Sequence, residues 1–457
     1  MGKIAYLFPA FPVFHQTFVL WEVLGLRRNG MSPTIYSLRR GTAQQQPEGR
    51  DIADQVIYLP RTLSMPVWRA NWRLLRRGGR RYLDLYLAVV RAWRMDGEVA
   101  QELRPERARV TPYNRLRGWF NRSPLLYLLK SLALVPTAVH LAEQLDAAGV
   151  THLHAHWATY PATVAYVVHQ ISGTPFSISA HAYDIYMVQR MLAAKVQAAT
   201  FLVTCAKTNA AFLSRIVGPE LSQKIVVSYH GVDVSRFAPA GAEIRPKGQL
   251  RVVSCGQLER YKGMHLLIDA CAGLVRQGLT IECAIVGEGP ERANLQRQIE
   301  HLGLEKQVRL LGARPHAEVA GLLGTADVFV LASELAGRSR RRDVIANVIV
   351  EAMAAGLPVV ASHIPGVEEL IEHGVTGYLV PPNDVAGFAA AIKHLADHPD
   401  ERRRFGLAAR RRIVQDFDSH KNILALVELL GGNSAAAPPP RDHAEASGAL
   451  TSLGVYA

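Results

Sequence analysis

The stretch that decides the fold is Val348-Ile-Val-Glu-Ala-Met-Ala-Ala-Gly-Leu-Pro-Val-Val-Ala-Ser362. Its first half predicts an apolar helix that ends at Gly356, and its second half predicts a buried strand that begins at Pro358. An unpaired charge is costly in a helix packed on a sheet, yet this helix contains Glu351. The carboxylate therefore needs a partner, which can be a backbone amide, a nearby arginine or a pair of ligand hydroxyls.

Short apolar runs like this strand recur along the chain and alternate with helical patterns. Apolar runs without polar alternation, separated by helices, are typical of parallel strands covered on both faces. The runs fall into two groups, so the sequence predicts two doubly wound α/β domains. The predicted strands are 4–8, 34–38, 56–59, 152–156, 176–180, 201–205 and 225–229 in the first group, and 251–255, 281–286, 308–311, 328–332, 358–361 and 377–380 in the second.

Composition between and after these groups predicts the domain boundaries. Residues 1–237 form the predicted N-terminal domain and residues 250–415 the C-terminal domain. The polar segment 238–249 contains Pro and Gly and is the predicted linker. Residues 432–457 are rich in Pro, Ala, Gly and Ser, which predicts a disordered tail.

The chain has 457 residues, of which 49% are apolar and 20% charged, so it can bury a sizeable core and is not a disordered protein. Its net charge of +13 is unevenly distributed. Residues 61–130 hold sixteen Lys or Arg against five Asp or Glu, a net charge of +11, and include four of the six tryptophans. The basic excess therefore belongs to one insertion in the first domain, where it indicates an anionic partner.

The insertion contains a helical pattern with two different faces. Trp68, Trp72 and Leu75 share one face, and an adjoining basic face is formed by Arg69, Arg73, Arg76 and Arg80. This composition is typical of a helix that lies in a membrane interface. The alternative is an ordinary insertion helix with solvated arginines and its aromatic side chains in the core. A nucleic-acid-binding protein is a further alternative, but the segment has no recognisable reading motif.

Cysteine usage and the N-terminus bear on the compartment. The four cysteines, Cys205, Cys255, Cys271 and Cys283, have no CxxC spacing, so we predict buried reduced thiols in a cytosolic protein rather than a zinc site or redox dithiol. The first residues show no signal-peptide pattern. The longest apolar stretch, 125–142, is interrupted by Lys, Pro and His, so no membrane span is predicted.

Three loops in the second group follow strands and carry polar or glycine residues. The loop Gly256-Gln-Leu-Glu-Arg-Tyr-Lys-Gly263 places Lys262 near the start of a helix, where backbone amides and the lysine charge favour phosphate. Gly287-Glu-Gly289-Pro follows the next strand, at the sheet edge where ligands bind in open α/β folds. Gly312-Ala-Arg314-Pro follows the third strand.

Together these loops and the helix with Glu351 resemble the retaining nucleotide-sugar glycosyltransferases of family 4, which have the GT-B fold. The resemblance covers about residues 1–425. It implies that the C-terminal domain binds a nucleotide-diphosphate sugar as donor substrate, with no bound cofactor, and that residues 416–431 form a helix crossing back to the N-terminal domain. Asp416-Phe-Asp418 is formally a DxD metal motif, but it lies away from the donor loops, so no metal is assigned. The implied donor-binding residues are Gly256, Gln257, Gly287, Gly289, Arg314, Asn347 and Val348.

The family signature is an acid, seven residues, and a second acid. Glu351 matches the second acid, which the resemblance assigns to the ribose hydroxyls, and Asp343 stands where the family has a Glu that contacts the donor sugar. Val344 and Ala346 replace the family's small or rigid residues, which leaves the donor's identity open. The family's phosphate pair is an Arg and a Lys; Lys262 is present, but Gln257 replaces the Arg. Arg338, Arg340, Arg341 and Arg342 either restore that positive charge or form a solvated loop.

The N-terminal domain resembles a subgroup that builds exopolysaccharides such as colanic acid. Phe14-His-Gln16-Thr17-Phe18 is similar to its Ser-Glu-Thr-Phe loop, matching at Thr17 and Phe18, and Gln16 and Thr17 are predicted substrate contacts. His154-Ala-His156 and Ser179-Ala-His181-Ala-Tyr-Asp184 also match. The resemblance implies that His181 contacts the transferred sugar and supports positive charge there. Asp184 holds that loop or the acceptor. His154 and His156 are either structural or substrate contacts, and Tyr229-His230-Gly is read as structural.

These observations predict a retaining glycosyltransferase of polysaccharide biosynthesis, bound to the cytoplasmic face of the plasma membrane through residues 61–130 and acting on a lipid-linked saccharide. The resemblance favours a front-face substitution in which the leaving diphosphate takes the acceptor proton and His181, Lys262, Asp343 and Glu351 form the catalytic group. Three alternatives stay open: a soluble transferase with a small-molecule acceptor, a catalytically degenerate relative, and a basic nucleic-acid-binding protein.

Overall fold

Two parallel β-sheets form the framework of the molecule. The computed structural model describes residues 2–14, 16–42, 46–95, 123–237, 249–334 and 344–432. The first sheet has seven strands in the order β3-β2-β1-β4-β5-β6-β7, and the second has six in the order β10-β9-β8-β11-β12-β13. The strands are β1 Lys3–Phe8, β2 Thr34–Ser37, β3 Ile57–Tyr58, β4 Val150–His156, β5 Phe176–Ala180, β6 Leu202–Thr204, β7 Ile225–Val227, β8 Gln249–Cys255, β9 Thr280–Val286, β10 Val308–Gly312, β11 Val328–Leu331, β12 Val359–Ser362 and β13 Gly377–Val380.

Helices connect the strands and cover both faces of each sheet. Each of the thirteen predicted strands is present within a few residues of its expected bounds, so the prediction of two doubly wound α/β domains is confirmed. The helices are α1 Thr17–Arg28, α2 Arg50–Ala53, α3 Met65–Arg77, α4 Gly79–Met95, α5 Pro124–Ala133, α6 Val135–Ala147, α7 Tyr160–Ser172, α8 Ala182–Met187, α9 Leu192–Ala198, α10 Lys207–Val217, α11 Pro219–Ser222, α12 Met264–Arg276, α13 Arg292–His301, α14 His316–Thr325, α15 Asn347–Ala354, α16 Val385–Asp397, α17 Pro399–Asp416 and α18 Ser419–Leu430.

The central strands are apolar throughout because both of their faces are buried. All five residues of β5 and all four of β11 are buried. One apolar core fills the C-terminal domain, and two cores lie in the N-terminal domain. This arrangement directs the carboxyl ends of the strands of each sheet to a common edge, where the loops are free to carry polar residues.

The last helix returns to the N-terminal domain. Ile423, Leu426 and Leu430 of α18 belong to the same apolar core as the buried face of α1. Gly25 of α1 permits this close packing, because a Cβ there would lie 3.0 Å from Ile423. Backbone hydrogen bonds between Val232 and the segment joining α17 to α18 fix the crossing point. The C-terminal segment is thus tied to the N-terminal domain through α18 and through Val232. Residues 238–248, at the position of the predicted linker, lie outside the described residues.

The structure decides between the two alternatives for the helix of the basic insertion and corrects the position of one of its arginines. Trp68 and Trp72 are 56% and 46% exposed and their rings stack at 5.8 Å, so the alternative that put these aromatic rings in the core is wrong. The small residue Ala70 and its neighbour Val67 are the buried side chains of α3. Arg80 was expected on the same basic face, but α3 ends at Arg77 and Arg80 belongs to α4, because Gly78 breaks the helix. Residues 96–122 of the insertion and 433–457 of the predicted tail lie outside the described residues.

Membrane-spanning potential is low among the described helices. None of them alone is long and apolar enough to cross a bilayer. By length and composition, α5 and α6 pass such a test only as a pair, and the two helices meet at a bend of 41°.

Candidate active site

A cavity of about 560 Å³ lies between the carboxyl edges of the two sheets. Residues of the first strand-to-helix loop and its surroundings form one wall, and loops of the C-terminal domain form the other. The N-terminal wall consists of Phe14, Thr17, Phe18, Thr42 and Gln46. The C-terminal wall consists of Cys255, Gly256, Gln257, Tyr261, Lys262, Val286, Gly287, Glu288, Ala313, Arg314, His316, Val319, Ile345, Ala346, Asn347, Val348 and Glu351. A cavity of this size accommodates a small organic ligand.

The glycine loops of the C-terminal wall are joined by backbone hydrogen bonds. The Gly256 amide donates to the Val286 carbonyl at 3.0 Å, and the Gly287 amide donates to the Gly312 carbonyl at 2.9 Å. Gly287 has φ 144° and a Cβ there would overlap the Gly256 carbonyl oxygen, so the position requires glycine. Gly289, a predicted ligand contact, packs against the Leu258 backbone, where a Cβ would lie 2.5 Å from the Leu258 carbonyl oxygen, and is not among the residues that line the cavity.

Cationic and amide side chains occupy the neighbouring part of this wall. Lys262 lies on a short 3₁₀ turn just before α12, with its Nζ 5.4 Å from the ring centroid of Tyr261. Gln257 lines the same cavity, so the departure from an Arg–Lys pair leaves an amide and a lysine together. Arg314 also lines it, with Nε donating to the Leu311 carbonyl at 3.0 Å. The region is therefore electropositive and suited to a phosphate group.

Glu351 reaches the cavity from the first turns of α15 and has an unforeseen partner. The side chain of Glu351 is buried and lies with Oε1 3.2 Å from Nε2 of His316, at the start of α14. Burial lowers the pKa of His316, but the hydrogen bond and charge of Glu351 outweigh burial and raise it above the usual value. The partner of Glu351 is thus the imidazole at the start of α14 and not a backbone amide or an arginine. Glu351 can still accept hydrogen bonds from ligand hydroxyls in the cavity.

A row of hydrogen-bonded side chains lies next to the cavity in the N-terminal domain. Oε1 of Glu22 is 2.9 Å from Nε2 of His156, and Nδ1 of His156 is 3.2 Å from Nε2 of His181. Nδ1 of His181 is in turn 3.3 Å from Nε2 of His230. His181 and His230 line a small pocket of about 40 Å³ rather than the large cavity. Phe18 lines both, so its ring separates the two spaces.

Local backbone structure positions the row. His156 ends β4, and Trp157 after it has φ 76°, a left-handed conformation that is rare for a bulky residue. His181 follows β5 and precedes α8, where both oxygens of Asp184 accept hydrogen bonds, one from the His181 amide at 2.7 Å and one from the Ala158 amide. The two strand ends are therefore fixed to each other by one carboxylate.

Burial has opposite consequences for the acids and bases of this region. It lowers the pKa of His181 well below its usual value and that of His230 to about 4. Burial would raise the pKa of Glu22, but the surrounding imidazoles, led by His156, outweigh it and lower the pKa to about 2. Burial raises the pKa of Asp184 to about 7 in spite of its backbone hydrogen bonds. Glu22 is therefore a buried anion, and burial favours the neutral imidazole at His181 and His230.

This geometry favours the structural alternative for Asp184, His156 and His154 and places Gln16 outside the cavity wall. Asp184 is fully buried with both oxygens engaged, so it holds the His181 loop and does not contact substrate. His156 is fully buried with both nitrogens engaged, so it acts within the protein. His154 is likewise structural, since its nitrogens lie 2.7 and 2.9 Å from the hydroxyls of Ser177 and Ser179. Gln16 immediately precedes α1 and does not line the cavity.

The structure also shows which residues sequence reasoning missed. Glu22 and His316 belong to no recognised motif; the sequence signal is a lone charge in the apolar pattern of α1 for Glu22 and a histidine just after β10 for His316. The sequence predicts a structural role for Tyr229-His230, but His230 belongs to the hydrogen-bonded row, with its Nε2 3.3 Å from Nδ1 of His181. The predicted sugar contact Asp343, the arginines at 338 and 340–342, and His15 lie outside the described residues.

Comparisons with known proteins agree with this geometry. Residues 241–412 match the family described as Glycosyl transferases group 1. WcaL of Salmonella typhimurium, named for colanic acid biosynthesis, is 36% identical over 210 residues, which are 46% of this chain and 51% of the relative. The amylovoran biosynthesis glycosyltransferase AmsK of Erwinia amylovora is 35% identical over 211 residues, 46% and 51% of the two chains. The chain thus spans about half the length of the curated relatives it matches.

Solved structures match over a longer part of the chain. Anabaena Alr3699/HepE in complex with UDP and glucose superposes with a TM-score of 0.65 at 18% identity, covering 94% of this chain and 100% of the other. The lipopolysaccharide outer core galactosyltransferase WaaB in its apo form gives a TM-score of 0.61 at 14% identity, covering 94% and 99%. At these identities the likeness concerns the fold.

Proposed function

The chain has the GT-B fold and its residues 241–412 belong to the glycosyl transferases group 1 family, and on this premise we propose that it transfers a sugar from a nucleotide-diphosphate donor to a saccharide acceptor in exopolysaccharide biosynthesis. The observation that carries the proposal is the cavity between the domains. Lys262, Gly287 and Glu351 line one wall of it, which brings a cation, a closely approaching backbone and a buried carboxylate together.

The arrangement supports a division of roles in the donor site. Glu351 accepts hydrogen bonds from the ribose hydroxyls, while Lys262 and the amides at the start of α15 face the diphosphate. In the retaining front-face reaction, the acceptor oxygen bonds to the anomeric carbon as the bond to the donor phosphate breaks. The acceptor proton passes to the leaving phosphate oxygen. Lys262 stabilises the negative charge that develops there, and closure of the domains excludes water.

A ligand screen tests the donor proposal. Thermal unfolding of the chain is followed with UDP, GDP, other nucleoside diphosphates and their sugar conjugates. A ligand that binds the native state at 100 times its Kd stabilises it by about 2.7 kcal/mol, which raises Tm measurably. UDP is the first nucleotide to test, because HepE was solved in complex with UDP and glucose. No shift with any nucleotide contradicts the proposal, and a shift without sugar transfer identifies a catalytically degenerate relative.

We further propose that the enzyme acts on a lipid-linked acceptor at an anionic, cytoplasmic membrane surface. The support is the exposed face of α3, where Trp68 and Trp72 stack beside arginines. Arg73 is partly neutralised by an ion pair with Glu143. Arg76 instead lies over the ring of Trp72, with its Cζ 5.9 Å from the ring centroid. Each basic residue near an anionic leaflet contributes roughly 1 kcal/mol. Within 61–95 and 123–130, the described parts of this insertion, the other large exposed apolar side chains are Leu63, Met65, Leu75, Leu83, Leu87, Met95, Leu125 and Leu129.

Vesicle sedimentation tests the membrane proposal. The wild-type chain is expected to sediment with anionic vesicles and to dissociate as salt is raised. The double variant Trp68→Ser and Trp72→Ser should bind at least about tenfold more weakly without loss of Tm, because both rings are exposed. Leu407→Ser, a 50% exposed apolar residue of α17, is the matched control. Equal binding by the double variant and the control would refute the assignment of this face.

A further inference from the structure

We propose that Glu22 and His156 are positioning residues for His181, fixing its ring and the nitrogen that carries its proton. The inference rests on the proposed transfer reaction, in which the family resemblance assigns His181 to the transferred sugar. None of Glu22, His156 and His181 lines the large cavity, but Phe18 does and its ring contacts that of His181, so we take His181 as the member of the row that acts at the cavity and Glu22 and His156 as acting through it.

The direction of the hydrogen bonds follows from the chemistry of the first member. An ionised carboxylate only accepts, so Glu22 requires Nε2 of His156 to donate. When His156 is neutral, its one N–H is the Nε2–H that Glu22 accepts, so Nδ1 of His156 accepts from Nε2 of His181. Nδ1 of His181 accepts in turn from Nε2 of His230. One carboxylate at the end of the row therefore selects the tautomer of each neutral imidazole.

The fold places Glu22 for this purpose. Glu22 lies four residues after Phe18 on α1, so the two side chains share a helical face. Phe18 lines the donor cavity, and its ring lies edge-on to that of His181 with the two ring centroids 5.2 Å apart. The side chain of Glu22 is only 9% exposed and that of His156 is fully buried. A carboxylate costs more free energy to bury at this site than an apolar side chain would, and the hydrogen bond that it accepts from His156 offsets part of that cost.

The neighbouring histidines show that the row is selective. His154 on the same strand is held by Ser177 and Ser179 and takes no part. His152 also contacts Ser177, at 2.7 Å, and is partly exposed at the other end of β4. Position on the strand end, and not histidine content, therefore decides which imidazole contacts His181.

Three variants test the proposal against a purely space-filling role. Glu22→Leu keeps most of the volume but removes the acceptor, and His156→Phe keeps a ring but breaks the row one link later. Both should lower kcat by about tenfold or more while KM for the donor changes less than about threefold. Glu22→Gln retains a carbonyl acceptor and should keep kcat within about fivefold of wild type. His152→Asn is the matched control on the same strand and should behave as wild type.

Nitrogen NMR of histidine-labelled protein provides a readout that a space-filling role would not move. The His181 signal, identified by its loss in His181→Asn, should report the Nε2–H tautomer in wild type and a mixture in Glu22→Leu or His156→Phe. Equal kcat and an unchanged tautomer in these variants would overturn the proposal. If Glu22→Leu does not fold, His156→Phe decides in the same way. A wild-type chain without transfer activity refutes the proposed function, while the tautomer measurement still tests the row.

Discussion

Among single residues, Glu351 and Lys262 carry the strongest chemical implications. Both line the cavity between the domains, which sequence spacing alone could not establish for residues 89 positions apart. Glu351 is buried, and His316 lies within hydrogen-bonding distance of it. A carboxylate paired with imidazole instead of arginine keeps acceptor capacity for ligand hydroxyls.

Substitution of Lys262 should damage catalysis without damaging the fold. Lys262→Ala removes the cation that stabilises the leaving diphosphate, so kcat should fall by roughly 100-fold. Tm should change by no more than about 2 °C, because the side chain lies at the cavity. Arg260→Ala, on the same 3₁₀ turn but 64% exposed and outside the cavity wall, should leave kcat unaltered. Near-normal turnover of the Lys262 variant would remove it from the catalytic group.

The His316–Glu351 pair predicts a pH dependence of stability. The pKa of His316 is raised in the folded protein, so its contribution to stability is fully present below the unfolded value of about 6.5. That contribution is lost as pH rises through the folded pKa. In urea unfolding at several pH values from 6 to 9, the free energy of unfolding should therefore fall more steeply in wild type than in His316→Asn. Parallel curves would show that the imidazole gains no proton affinity on folding.

Among secondary-structure elements, α10 is capped by a residue of the other domain. Both carboxylate oxygens of Glu369, which follows β12 in the C-terminal domain, accept from backbone amides at the start of α10, each at 2.8 Å. The Thr208 hydroxyl and the Tyr229 hydroxyl donate to the same carboxylate at 2.7 and 3.0 Å. Anions at helix N-termini are favourable because the first amides lack intrahelical partners. One carboxylate thus joins the domains at the edge of the cleft.

Removal of this cap should weaken the closed arrangement. Glu369→Ala leaves the first amides of α10 without their acceptor and should cost about 1 to 2 kcal/mol in the free energy of unfolding. Limited proteolysis should become faster at the domain junction. Glu368→Ala changes the exposed neighbouring carboxylate and should have little effect. Equal stability of the two variants would show that the interdomain cap contributes nothing in solution.

For the whole molecule, the two-domain cleft defines both charge distribution and ligand response. The net charge of +13 is concentrated in residues 61–130, and none of the described residues of this segment lines the donor cavity, so the charge concerns the surface of the N-terminal domain more than the chemistry. The donor wall has its own cation in Lys262. Because each domain forms one wall of the cavity, we expect a bound ligand to contact loops that follow strands of both sheets.

Ligand binding should therefore protect both walls together. With a nucleotide diphosphate bound, hydrogen exchange should slow in peptides covering 14–18 of the N-terminal domain and 344–351 of the C-terminal domain. The exposed α13 helix should exchange as before and serves as the internal reference. Protection confined to the C-terminal peptides would show that the nucleotide binds one domain without closing the cleft.

The sequence by itself determined the strands, the two parallel sheets and the loops that face their carboxyl edges. Apolar runs indicate which segments must be buried, and glycines indicate where the backbone needs a conformation that other residues avoid. Both signals depend only on residues that are close together in the sequence. The same local information placed Lys262 and Gly287 in loops that follow strands, whereas the ligand role of Glu351 on α15 followed from the family resemblance.

Only the tertiary structure decided which residues meet. Glu22 and His156 are 134 positions apart, and Glu351 and His316 are 35 apart, so no spacing rule could pair them. The same applies to Asp184, for which the sequence left open whether it holds the His181 loop or the acceptor; in the fold it is buried and accepts hydrogen bonds from the His181 and Ala158 amides. Packing of the strand ends fixes these distances, because the protonation and partners of a buried group depend on the neighbours that enclose it and not on its position along the chain.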